Sequence, residues 1–167
     1  VGMALNPLSK ASGIPLLGIV GHRDLVKENP YAIRFFPSSD EEGTVLARKA
    51  FEMGFKNLAV VTLQDEWTEA LSDAFINEAQ RLGATIQIHE KILPSDSDFL
   101  PLLARLRKAS FDALYLSHSF TQSGILIRKL RDQHIGQQIF SNTWAGKRET
   151  IEAAGKQAIE GTLYAEP

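Results

Sequence analysis

The 167-residue chain contains no cysteine. This excludes disulfides, thiolate metal sites and cysteine nucleophiles, and leaves the redox compartment open. No apolar stretch is long enough to cross a bilayer, and no run of lysine and arginine stands out. With 18 basic against 20 acidic residues, a net charge of −2 and a pI near 6.1, the chain has no general attraction for nucleic acid or an acidic membrane surface. No glycine-rich phosphate loop follows any predicted strand, which argues against a dinucleotide cofactor. No Gly-x-Ser-x-Gly elbow is present. His118 reads as a polar rim residue, and His22, His89 and His134 are dispersed without ligand spacing, so no metal site is expected. Val1-Gly2-Met3 is not a natural start and no secretory signal is visible, so the chain reads as an internal piece of a longer protein.

Hydrophobic content of 44% and charged content of 23% are ordinary for a globular protein of one or at most two domains. The clearest pattern runs from Lys56 to Glu90. Residues 57–63, Asn-Leu-Ala-Val-Val-Thr-Leu, form an apolar, β-branched run of strand length. Trp67, Ala70, Leu71, Ala74, Phe75, Ala79 and Leu82 then recur three and four apart, one face of a helix, and Gly83 stops it. Residues 85–90 alternate as a second strand. Strand, helix and strand make a right-handed βαβ unit.

The same alternation continues on both sides. A short strand is expected over 31–36, then a helix opened by two overlapping capping boxes, Ser38 with Glu41 and Ser39 with Glu42, and closed by Gly54. A helix from about Asp98, a strand over 111–117, a helix over 121–134, a strand over 138–141, a short helix over 147–154 and a last strand over 162–165 follow. Residues 6–13 read as turn-rich, and residues 21–30 as a connection. Between them Ile14, Leu16, Leu17, Ile19 and Val20 mark an apolar strand over 14–20, with no helix of its own on either side.

The expected fold is therefore α/β, a three-layer, doubly wound, mostly parallel sheet. Open sheets of this kind bind small molecules at the carboxyl ends of their strands. Three turns should share that rim: 64–68, 117–122 and 141–146. Trp67 reads equally as core filler or ligand platform, and Phe120 as a staple residue or a ligand contact. Trp144 sits in a polar turn with less core to fill. The three together could wall a pocket for a planar ring or a cation. Ser117-His118-Ser119 with Asp112 suggests a hydrolase, but Asp112 lies at the other end of the same strand, too far to orient His118.

Several segments resemble, in order and spacing, the second lobe of type I periplasmic binding proteins, within the branched-chain amino acid and amide receptors of ABC transporters. They are Tyr31-Ala-Ile-Arg-Phe-Phe-Pro-Ser-Ser-Asp40, Phe55-Lys-Asn-Leu-Ala-Val-Val, Arg81-Leu-Gly-Ala, Asp96-Ser-Asp-Phe99, Phe111-Asp-Ala-Leu-Tyr and Ile159-Glu-Gly161. Gly13-Ile-Pro-Leu-Leu17 resembles the last strand of that family's first lobe. The resemblance covers essentially the whole chain. It implies that residues 1–30 belong to the first lobe and residues 31–167 to the second, and that two lobes close on a ligand without catalysis. The ligand contacts it implies are Trp67 and Thr68, where the family has an aromatic-glycine pair, then Ser119 or Phe120, and Thr143 beside Trp144. The family's amino acid receptors place an acidic residue at the position of Thr143 to pair with an α-ammonium. Its replacement disfavours a free amino acid unless Asp65 or Glu66 turns inward, because a buried ammonium needs an anion.

The functional expectation is an extracytoplasmic, periplasmic solute-binding component of an ABC importer. Its partners would be a small amino-acid-like, amide or aromatic carboxylate ligand and the membrane subunits of the transporter, with no nucleic acid, cofactor or metal. The alternatives are a ligand-sensing domain of the same fold in a transcription regulator or receptor, and a flavodoxin-like enzyme or signalling domain, for which only Asp65 and Glu66 speak. Strand 14–20, cut off from the rest of its sheet, is expected to pair with a second copy and give a homodimer.

Overall fold

The run Asn57–Leu63 is the strand around which the larger sheet is laid in the computed structural model, which describes residues 2–21 and 23–166 but not the side chains at 23, 39 and 120. His22 lies outside the described residues. In chain order the elements are α1 (Gly2–Ser12), β1 (Leu16–Gly18), β2 (Ala32–Arg34), α2 (Ser39–Glu52), β3 (Asn57–Leu63), α3 (Glu66–Arg81), β4 (Thr85–Ile92) and α4 (Leu100–Lys108). Then come β5 (Ala113–Ser117), α5 (Phe120–Asp132), β6 (Gln138–Ser141), a 3-10 turn (Thr143–Gly146), α6 (Arg148–Ala154), α7 (Lys156–Ile159) and β7 (Leu163–Tyr164).

The larger sheet has five strands in the order β4-β3-β5-β6-β7, and every neighbouring pair is parallel. Parallel neighbours require a crossover, and the period switches seen in the sequence supply the helices that make it. β3 shows why its sequence is apolar at nearly every position. Leu58 and Val60 face α2 and α3, while Ala59, Val61 and Leu63 face α4 and α5, so both faces are covered. Phe75 of α3 stacks on Tyr115 of β5 with ring centroids 4.1 Å apart. On the same side Glu78 accepts from Arg48 of α2 and from both Nε and Nη2 of Arg81, tying α2 to α3. Gly54 and Gly83, at φ 89° and 92°, follow α2 and α3 in the left-handed conformation that stops a helix.

The amino-terminal part departs from expectation. Residues 6–12, read as turn-rich, lie in α1, with Pro7 inside the helix, where it gives up one backbone N–H. The strand expected over 14–20 shortens to Leu16–Gly18 and does have a helix beside it and a partner: it pairs in parallel with β2, Leu17 opposite Ile33. β2 therefore joins β1 in a separate two-stranded sheet and not the five-stranded one. One of the two capping boxes is observed, with the Ser38 N–H donating to Glu41 Oε2 at 2.8 Å. The second box rests on the Ser39 side chain, which lies outside the described side chains; Glu42 Oε1 accepts from the Thr143 N–H.

Candidate functional site

Strand order reverses between β3 and β5, because β3 is followed in sequence by β4 on one side and flanked by β5 on the other. The loops leaving the carboxyl ends of β3 and β5 therefore diverge and leave a crevice at that rim. Beside it opens a cleft of about 620 Å³ lined by Ile19, Gly21, Phe36, Trp67, Thr143, Trp144, Lys147 and Glu166. Its floor comes from turns of the five-stranded sheet. Its wall comes from the chain on either side of the small sheet.

Each turn is held by side chains spent on backbone. After β3, Asp65 caps α3, its Oδ1 accepting from the N–H groups of Trp67 and Thr68, both at 3.0 Å. Thr68 is fully buried and donates its hydroxyl to the Leu63 carbonyl at 2.6 Å. At the end of β5, Ser117 donates to the Thr68 carbonyl at 2.9 Å and so fastens that turn to the neighbouring strand. At the end of β6, Asn142 does two things: its Oδ1 accepts from Trp144 N–H at 3.2 Å, and its Nδ2 donates to the His118 carbonyl at 2.9 Å. Finally Glu42, from the first turn of α2, accepts from Thr143 N–H at 2.7 Å. The three turns and the start of α2 are thus braced to one another.

The bracing brings Trp67 and Trp144 together, both half-buried, in an edge-to-face contact with centroids 5.8 Å apart and planes at 75°. These are the only two tryptophans in the chain, and both border the cleft. Thr143 borders it too, although only 5% of its surface is exposed. Ser119 precedes α5 at the same rim, half-buried, with its N–H donating to Nδ1 of His118 at 2.7 Å. Phe120 opens α5, but its ring lies outside the described side chains. Thr68 is the correction: its burial and its bond to Leu63 make it part of the turn and keep its side chain from the cleft. Asp65, offered as a substitute anion, is likewise committed to capping.

The titratable groups argue against hydrolytic chemistry. Asp112 accepts from the N–H groups of Asn57 and Lys56 at the opposite end of the sheet, and these bonds hold its carboxyl below the usual range. His118 is fully buried, burial depresses its pKa, and Nδ1 acts as an acceptor, so the neutral ring carries its proton on Nε2. That Nε2 has no hydrogen-bond partner among the described residues. Burial raises the carboxyl of Glu42 from 4.5 to about 7, against the opposing effect of the Thr143 N–H.

The sequence reading missed four contributors: Glu42, Ser117 as a brace, Asn142 and Lys147. Asn142 had a readable signal, a turn-forming side chain placed to accept an N–H two residues on. Glu42 had none, because its partner lies 101 residues away.

A sequence model of the family described as periplasmic binding protein matches residues 1–167. Leu/Ile/Val-binding protein homolog 1 of Brucella suis biovar 1 (strain 1330) is 28% identical over 126 residues, which are 74% of this chain and 33% of that one. The leucine binding protein LivK of Thermotoga maritima MSB8 superposes with a TM-score of 0.85 at 22% identity, covering 98% of this chain and 47% of its own. A solute binding protein of an ABC transporter from R. palustris, solved in complex with 4-hydroxybenzoate, superposes with a TM-score of 0.75 at 16% identity, covering 84% of this chain and 40% of its own. The chain thus spans between a third and about half of the length of these relatives.

Proposed function

Since this chain belongs to the periplasmic binding protein family, we propose that it forms the second lobe, with part of the first, of an extracytoplasmic solute receptor serving an ABC-type importer. The small sheet of β1 and β2 is then the first-lobe portion, and the five-stranded sheet is the second lobe. The receptor binds and releases its solute without transforming it, and hands it to the membrane subunits of the transporter. By itself the 167-residue chain pairs with a second copy through residues 14–20.

The ligand is a small carboxylate with a planar apolar body. The observation that carries this is the crossed Trp67–Trp144 pair beside Thr143, in a cleft whose one lining acid, Glu166, already faces Lys147. Glu42 lies beside Thr143, but its Oε1 is engaged by that residue's N–H and it is not among the residues that line the cleft. Relatives named for leucine, isoleucine and valine favour an amino acid, whereas the relative holding 4-hydroxybenzoate favours an aromatic acid. The site chemistry supports the second.

Calorimetry on the intact two-lobed receptor decides between them. Expected is stoichiometric binding of an aromatic carboxylate, accompanied by a change in tryptophan fluorescence, with free leucine and valine at least about tenfold weaker, an uncompensated charge costing several kcal/mol. Tight binding of leucine or valine would overturn the ligand class. A helix-turn-helix ahead of this chain in its gene would favour the regulator reading instead.

A further inference from the structure

We propose that Lys147 is the anchor for the ligand's anionic group and that Glu166 occupies this seat until the ligand displaces it. This rests on the reading of the cleft as a solute site. Backbone N–H groups are the usual alternative seat for an anion, and in the turns that line the cleft those of Trp67, Thr143, Trp144 and Lys147 are already used. Those of Trp67 and Thr68 go to Asp65, that of Ser119 to His118, that of Thr143 to Glu42, and those of Trp144 and Ala145 to Asn142. For an anion seated against these turns, the remaining partner on this side of the cleft is a side-chain cation. Among the described residues that line the cleft, Lys147 carries the one positive charge.

Lys147 is also well placed. Its N–H donates to the Trp144 carbonyl at 3.1 Å, closing the 3-10 turn, so the root of its side chain is fixed next to the aromatic floor. Its Nζ lies 3.7 Å from Glu166 Oε1, a long contact between side chains that are 41% and 59% exposed. A pair so exposed and so long is weak, so exchanging Glu166 for a ligand carboxylate costs little. When a second lobe covers the cleft and removes water, the same ammonium makes a shorter, charge-assisted bond in a lower dielectric. The geometry thus selects a monoanion whose ring lies against Trp67 and Trp144 while its carboxylate meets Lys147.

Calorimetry of the intact receptor with benzoate and with benzamide, its neutral isostere, tests the anchor. Lys147→Met should weaken benzoate by about 10–100-fold, the range for a lost bond to a charged group, and benzamide by less than about threefold. Lys147→Arg should recover most of the benzoate affinity, and Glu166→Gln should tighten benzoate by about 2–5-fold. Lys147 is partly exposed, so these replacements should leave the melting temperature unchanged. Equal losses for both ligands would reduce Lys147 to a packing role and overturn the anchor, as would no loss for benzoate. Binding of benzamide alone by the wild type would also sink the anchor while the receptor reading stands. Binding of neither ligand, nor of any other carboxylate, would bring down the ligand class and the anchor together.

Discussion

At the scale of single residues, Glu42 makes the stability of the fold depend on pH. Its carboxyl titrates near 7 in the folded chain against 4.5 ordinarily, with burial as the cause. Tyr115 from β5 and the exposed Glu41 and Glu166 face the same region, and none of them supplies a compensating cation. The folded state therefore holds a proton that the unfolded chain releases at lower pH. The stability this group contributes is full below about pH 4.5, falls as pH rises through 7 and is flat above. Glu42→Gln keeps an oxygen for the Thr143 N–H and removes the charge. Relative to wild type it should melt alike near pH 4 and be more stable at pH 8, by on the order of 2 kcal/mol. Melting curves across that range check this, and parallel profiles for the two proteins would refute it.

At the scale of elements, two glycines set the distances between paired helices. A Cβ on Gly43 of α2 would fall against the Leu71 carbonyl and the Phe75 amide of α3, and one on Gly124 of α5 against the Thr150 carbonyl and the Ala154 amide of α6. Backbone cannot yield as a flexible side chain can. Alanine favours a helix interior over glycine by about 1 kcal/mol, yet overpacking costs about 1–3 kcal/mol. The clash should win: Gly43→Ala and Gly124→Ala are each expected to lower the urea midpoint without changing the slope. A rise in the midpoint would mean that the helices separate freely and that the close approach is not required. Neither glycine showed itself in the sequence, where both look like weak points in otherwise good helices.

At the scale of the whole molecule, the small sheet is unfinished. Leu17 and Ile33 are paired across β1 and β2, and Ile19 and Phe35 come next along the same face. All four are exposed, Ile19 by 77% and Phe35 by 73%. Parallel sheets are ordinarily covered on both faces, and the relatives are two to three times as long as the part they share with this chain. In the intact receptor the remainder of the first lobe would lie on this face. In the 167-residue chain a second copy is the available cover, so light scattering should show a dimer. Leu17→Lys with Phe35→Glu should give a monomer of unchanged circular dichroism. Truncation to a start near Glu28 is a poorer test, since it leaves β2 without β1. A wild-type chain that stays monomeric at high concentration would end this proposal.

The sequence by itself determined the alternation of strands and helices from β3 onward, the parallel sheet, and the rim at which Trp67 and Trp144 meet. Each of these follows from period, capping and chain order, which are local properties. The tertiary structure alone decided which polar side chains serve the site and which serve the scaffold. Thr68 and Asp65, adjacent to Trp67, are consumed by their own turn, whereas Glu42 and Asn142 brace turns that sequence distance hides. It also decided the fate of residues 2–34. α1 carries Pro7 and Asn6 and gives a weak helical signal, and β1 and β2 are too short to set a register until they meet each other. Hydrogen bonds of buried polar groups are satisfied wherever a partner lies in space, and no local pattern records that partner.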